Sequence, residues 1–134
     1  MAGLVPNEGE TLMGELVFKN DESDRPADLE IGLMTDTQGE TLAEATINEP
    51  TGTGYARQTL TDASWSVTTG VASYAQITFT GGSGGWTGSV TGYFIATKSG
   101  GGTQRLLVVE EDAGGPYTIG EGDTYKITPG ITFS

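Results

Sequence analysis

Apolar and polar positions alternate with a period of two over much of the chain. Leu12, Gly14, Leu16 and Phe18 alternate with Met13, Glu15, Val17 and Lys19. Leu29, Ile31 and Leu33 alternate with Glu30, Gly32 and Met34, and Tyr74, Gln76, Thr78 and Thr80 with Ala75, Ile77 and Phe79. Tyr125, Ile127, Ile131 and Phe133 continue the habit near the end. Successive strand residues point to opposite faces, so the pattern predicts antiparallel sheet with one face buried and one wet. Glycine and proline clusters at 50–54, 81–85, 99–102, 113–116 and 120–123 supply the turns. The runs between them predict strands near 12–18, 29–34, 54–60, 64–68, 72–80, 89–97, 104–110 and 124–133. Only Thr41 to Ile47 hints at helix. About eight such strands predict a single all-β antiparallel sandwich, jelly-roll-like, with little helix. The sandwich should span 12–134 behind an N-terminal arm at 1–11, where Leu4 and Val5 precede Pro6 without strand rhythm.

Composition supports this reading. Gly is 22 of 134 residues, and there are 21 Thr, a β-branched residue suited to a pleated, half-exposed surface. It also removes chemistry. With no Cys there is no disulfide framework or thiolate site, and with no His there is no Ser-His-Asp triad or imidazole ligand. A net charge of -12 argues against binding nucleic acid, where affinity comes from Lys and Arg. The longest apolar run, Leu106 to Val109, is far short of the ~20 residues of a membrane helix. Residues 1–10 have neither the basic nor the apolar region of a secretory peptide, so synthesis in soluble form in a cytoplasm is expected.

The charge is uneven. Residues 1–62 carry 13 acidic and 3 basic side chains, whereas 63–109 carry no acid at all. Desolvating an unpaired carboxylate is costly, so the acid-free stretch should supply most of the buried sheet and the subunit contacts.

Several clusters invite chemistry. Asp21, Glu22, Asp24 and Asp28, in the acidic loop 20–28, could offer oxygens to calcium, but the spacing is not that of an EF-hand loop. Glu110, Glu111, Asp112 and Asp123 could pair for glycoside hydrolysis, yet Glu110 and Glu111 are adjacent and would point to opposite faces of a strand. Gly81 to Gly85 lacks the Lys and following helix of a phosphate loop and reads as a flexible connection. Trp65 reads as core, and Trp86 as either buried or presented to a partner. Tyr117, in a turn after Gly115 and Pro116, is an exposed anchor or a turn plug. Trp86, Tyr93 and Tyr117 could together form a sugar-stacking platform. No catalytic residue, metal site or cofactor is assigned.

Gly54-Tyr55-Ala56-Arg57-Gln58-Thr59-Leu60 followed by Trp65, Tyr74-Ala75-Gln76-Ile77-Thr78-Phe79, Thr91-Gly92-Tyr93-Phe94-Ile95 and Gly122-Asp123-Thr124-Tyr125-Lys126-Ile127-Thr128-Pro129 resemble segments of small virion proteins of tailed bacteriophages. The resemblance implies a non-enzymatic structural protein. Its first form is a head decoration, or cement, protein on the capsid surface, commonly a homotrimer, bound to the major capsid protein. Its alternative is a tail- or fibre-associated structural protein, or a carbohydrate-binding β-sandwich module. Leu4, Val5, Trp86 and Tyr117 are the expected partner-binding residues.

Overall fold

A computed structural model describes residues 3–19, 26–98 and 103–132. The chain folds as the expected all-β sandwich, with nine strands and one α-helix among the described residues. The principal sheet has the order β2-β1-β6-β7, built from β1 (Leu29–Met34), β2 (Gln58–Leu60), β6 (Gly92–Thr97) and β7 (Leu106–Glu111). The opposing layer is divided in two. One part is β3 (Ser66–Thr68), β4 (Val71–Ser73) and β9 (Gly130–Thr132), in the order β3-β4-β9. The other is the pair β5 (Ile77–Thr80) and β8 (Thr124–Ile127). Every pairing is antiparallel. Two predicted strands are interrupted: 72–80 breaks after Ser73, and 124–133 breaks at Thr128-Pro129, where proline cannot donate to a ladder. Phe133 lies outside the described residues.

The main core lies between the layers. Ile31 and Leu33 of β1, Tyr93 and Ile95 of β6, and Val108 of β7 meet Phe79, Trp86 and Ile127 from the other side. The intervening positions face the opposite way but are not in water. Met34, Phe94, Ala96, Leu106 and Val109 form a second cluster, covered by Leu4, Leu42 and Ile47. All six residues of β6 are therefore buried. Gly32 leaves the space that the Phe94 ring occupies, and the Arg57 guanidinium lies 4.9 Å from the centre of that ring. Among the described residues, eleven of the eighteen buried hydrophobic ones fall within the acid-free stretch 63–109, as its lack of charge leads one to expect.

The N-terminal segment departs most from expectation. Residues 12–18, read as a strand, belong to α1 (Asn7–Gly14) and a π-helical turn at Glu15–Lys19. The boundary expected between 11 and 12 falls inside α1. Leu12 and Leu16 are four residues apart, a spacing that serves a helix as well as a strand. Pro6 precedes the helix in extended conformation, and Glu8 and Glu10 occupy its first turn, where acids suit the helix dipole.

The reason for a helix here is the edge of the principal sheet. β7 is an edge strand, and its outward amides need partners. Leu4 pairs with Val109, donating to its carbonyl at 2.7 Å and accepting from its N–H at 2.9 Å. Glu8 accepts the Leu106 N–H at 2.7 Å, and the Gln38 side-chain oxygen accepts the Glu111 N–H at 3.0 Å. α1 sits so close that a Cβ on Gly9 would lie 2.8 Å from the carbonyl oxygens of both Leu106 and Leu107. The helix hinted at over 41–47 is a single turn, closed by the Ile47 N–H donating to Ala43 at 3.0 Å.

Candidate functional site: a tyrosine–carboxylate cleft

The in-register pairing of Tyr93 with Glu110 places both side chains on one face of the β6-β7 pair. The Tyr93 hydroxyl donates to Glu110 Oε2 at 2.8 Å. Beyond the strand end the chain turns on Asp112. Its Oδ1 accepts the Gly114 N–H at 2.9 Å and its carbonyl accepts the Gly115 N–H at 2.9 Å, a turn that Asp and Gly favour. The Asp112 carboxylate then receives two tyrosines, Tyr125 on Oδ2 at 3.0 Å and Tyr117 on Oδ1 at 3.4 Å. The Tyr117 and Tyr125 rings are tilted together with centroids 5.7 Å apart. Tyr93, Glu110, Asp112 and Tyr125 border an open cleft of about 400 Å³ whose walls also include Glu111, Lys126 and Thr128.

The electrostatics follow from the carboxylates. Burial raises the Tyr93 and Tyr125 pKa values, and the carboxylates of Glu110 and Asp112 raise them further, because a phenolate there would face a negative charge. Tyr117 is raised in the same sense, by burial and by Asp112. The three phenols are therefore held as hydrogen-bond donors. Glu111 turns away from Tyr93, and its Oε2 accepts the Gln38 N–H at 3.2 Å. Adjacent Glu110 and Glu111 thus serve opposite sides of the strand end.

A second polar cluster lies beside the other sheet edge. Arg57 reaches Glu30 and Glu44 through Nη1, each at 2.7 Å, and Glu49 through Nη2 at 2.6 Å. Tyr55 donates its hydroxyl to the same Glu49. Burial would lower the Arg57 pKa, but hydrogen bonds to Glu49, Glu30 and Glu44 outweigh it and keep the guanidinium protonated. The cluster joins β1, β2 and the 41–50 loop through internally satisfied groups, which is a structural role.

The four residues expected to bind a partner are dispersed. Trp86 takes the buried of its two readings: it is 6 % exposed, and its indole N–H donates to the Thr53 carbonyl at 3.0 Å. Little of its ring is left for a partner to cover. Trp86 and Tyr117 are also absent from the cleft walls, so the aromatic residues there are Tyr93 and Tyr125. Tyr117 is half-buried and exchanges backbone bonds with Val90. Leu4 is held against Val109, and Val5 lines an apolar groove of about 250 Å³ with Leu12, Leu16, Trp65 and Ile131. Trp65 is half-buried, and its indole N–H has no partner among the described residues. Val17 and Phe18, 72 % and 89 % exposed, follow Leu16 along the chain.

Two loop readings also change. The 81–85 loop is close-packed rather than a flexible connection: Gly82 donates to the Thr53 carbonyl at 2.8 Å, and a Cβ there would lie 2.5 Å from that oxygen. Of the acidic loop, residues 20–25 lie outside the described residues. Asp28 is half-buried and accepts the Asp62 N–H at 3.1 Å.

The sequence offered Glu110, Glu111, Asp112 and Asp123 as a carboxylate pair and Tyr93 and Tyr117 as stacking rings, but not Tyr125 or the tyrosine–carboxylate pairings. The turn at 112–115 was legible from its Asp and glycines. The Tyr93–Glu110 partnership depends on strand register, which local sequence does not carry.

No helix among the described residues is long and apolar enough to cross a membrane. The curated proteins compared with the chain gave no match. The family model described as "Podophage GP4 fiber I protein gp80" matches residues 7–132, from the first residue of α1 to the last of β9. The chain therefore belongs to this fibre protein family of tailed-phage virion structural proteins.

Proposed function

We propose that the protein is a non-enzymatic, fibre-associated structural subunit of a tailed-phage virion. The family match over 7–132 carries this reading and favours a fibre position over the capsid-surface position of a decoration protein. The subunit acts by assembly, as a homo-oligomer bound to another virion protein. The exposed side chains of Val17 and Phe18, next in sequence to the groove residue Leu16, support an assembled form, because large apolar groups in water favour association. Assembly at many equivalent sites stabilises the bound state through linkage and avidity.

Immunogold labelling of intact virions with an antibody to this chain tests the placement. Label confined to fibres or their attachment points is the expected result. Label spread evenly over the head would instead support decoration and the major capsid protein as partner.

A further inference from the structure

We propose that the Phe18 ring of one copy docks into the apolar groove of a second copy, the groove between α1 and the β3-β4-β9 layer. This contact rests on the homo-oligomeric form proposed above and is independent of the fibre placement.

The groove holds about 250 Å³, and every residue lining it is apolar. Leu12 and Leu16 come from α1 and the turn after it, Leu107 from β7, and Trp65, Ala72 and Ile131 from the opposing layer. A dry cavity of about 150 Å³ lined by such side chains takes up a benzene ring, so a phenylalanine ring fits here. Phe18 lies two residues beyond Leu16 yet is 89 % exposed, so in a single copy its ring stands in water. Among the described residues, the exposed large hydrophobics are Val17, Phe18, Val67 and Val71. Each is within two residues of a groove wall: Val17 and Phe18 of Leu16, Val67 of Trp65, and Val71 of Ala72. Val67 stands in register with Ala72, and Ala72 with Ile131, so the edge strand β3 carries the apolar row of the groove out into solvent. Apolar side chains scattered singly over a surface are ordinary, but four gathered about one apolar groove mark an interface.

A second copy suits this surface better than other occupants. Ring and groove lie on one patch of the same chain, so copies arranged about an axis beside Leu16 each give a Phe18 and each receive one. A small apolar ligand would fill the groove and leave Phe18 and Val67 in water. An anionic bilayer would meet a protein of net charge -12. The contact segment itself carries both signs, Glu15 and Lys19 with 4.0 Å between them, so like copies can pair charges around the ring. The rest of the acidic surface repels between copies, and salt screens that repulsion while leaving the apolar contact intact.

The test uses the purified full chain in sedimentation equilibrium, and tryptophan fluorescence in a Trp86→Phe background, where Trp65 is the one tryptophan left. Reversible dimers or trimers are expected, tightening between about 0.02 M and about 0.5 M NaCl. Trp65 emission should shift to the blue as they form. Phe18→Ser and Val67→Ser change exposed side chains, so the far-UV spectrum should be kept while each weakens association at least about tenfold. Phe18→Leu, still apolar, should lose less. If one serine variant fails to fold, the other and the salt dependence still decide. Four results would overturn the proposal. The first is folded wild type that stays monomeric up to about 1 mM, which would also remove the homo-oligomer. The second is association that both folded serine variants leave unchanged, which would move the contact elsewhere and keep the homo-oligomer. The third is association that salt weakens. The fourth is Trp65 emission that ignores concentration but shifts in Phe133→Ala, which would give the groove to the chain's own end. None of the four touches the fibre placement, which the virion labelling decides.

Discussion

The carboxylate of Glu8 accepts the backbone N–H of Leu106 at 2.7 Å, across 98 residues of chain. The same Oε2 atom accepts the Glu44 N–H at 2.9 Å. One side chain in the first turn of α1 thus satisfies an edge amide of β7 and fastens the 41–47 turn that covers Phe94 and Met34. It links the three pieces that close the second face of the principal sheet.

Removing that acceptor strands two part-buried amides. Glu8→Ala should lower stability by ~1–3 kcal/mol, the cost of leaving such donors unpaired. Glu8→Gln keeps one acceptor oxygen and should lose less. Urea unfolding curves measure both. Equal stability of Glu8→Ala and wild type would mean that water replaces the carboxylate.

Gly9 sets helix propensity against packing. In a free helix, Gly9→Ala would be favourable by ~1 kcal/mol. Here the new methyl would press on the backbone carbonyls of Leu106 and Leu107 at 2.8 Å, and backbone in a sheet cannot move aside cheaply. Gly9→Ala should therefore lower the melting temperature, and a rise would show that α1 can lift from β7.

Trp86 carries packing and one hydrogen bond. It meets the Tyr55 ring edge-on at 5.3 Å and donates to Thr53. Trp86→Ala should cost ~3–5 kcal/mol through the cavity it leaves, enough to unfold much of the population. Trp86→Phe should retain the fold with a smaller loss. Circular dichroism during denaturation separates the two. A stable Trp86→Ala variant with altered assembly would return this residue to the interface.

The raised tyrosines make stability fall in alkali. Tyr93 and Tyr125 hold their protons more tightly folded than unfolded, where a phenol titrates near ~10. Their contribution is fully present below that value. Above it the unfolded chain releases protons that the folded chain retains, so stability declines as pH rises toward the folded values. Tyr93→Phe should be less stable at neutral pH, because Glu110 loses a donor, and should decline less steeply above pH ~10. Parallel slopes for variant and wild type would exclude Tyr93 as a source of the effect.

The sequence by itself determined the sheet-rich class, most strand positions and where the core would draw its residues. Those features are local: alternation in 29–34 matches the pleat, glycine clusters permit the turns, and a stretch without acids can be buried cheaply. Tertiary structure decided the state of residues 7–19. Leu12, Leu16 and their neighbours satisfy both periods, and the bare edge of β7, nearly a hundred positions away, selected the helix. It also decided that β6 is dry on both faces, since Leu4, Leu42 and Ile47 arrive from distant segments. The cleft was out of reach for the same reason. Tyr93 meets Glu110 through the register of β6 on β7, while Asp112 meets Tyr125 only because β8 folds in beside that strand end. A hydrogen bond falls away within an ångström of misplacement, so its partners are fixed by the completed fold and not by the pattern of either strand.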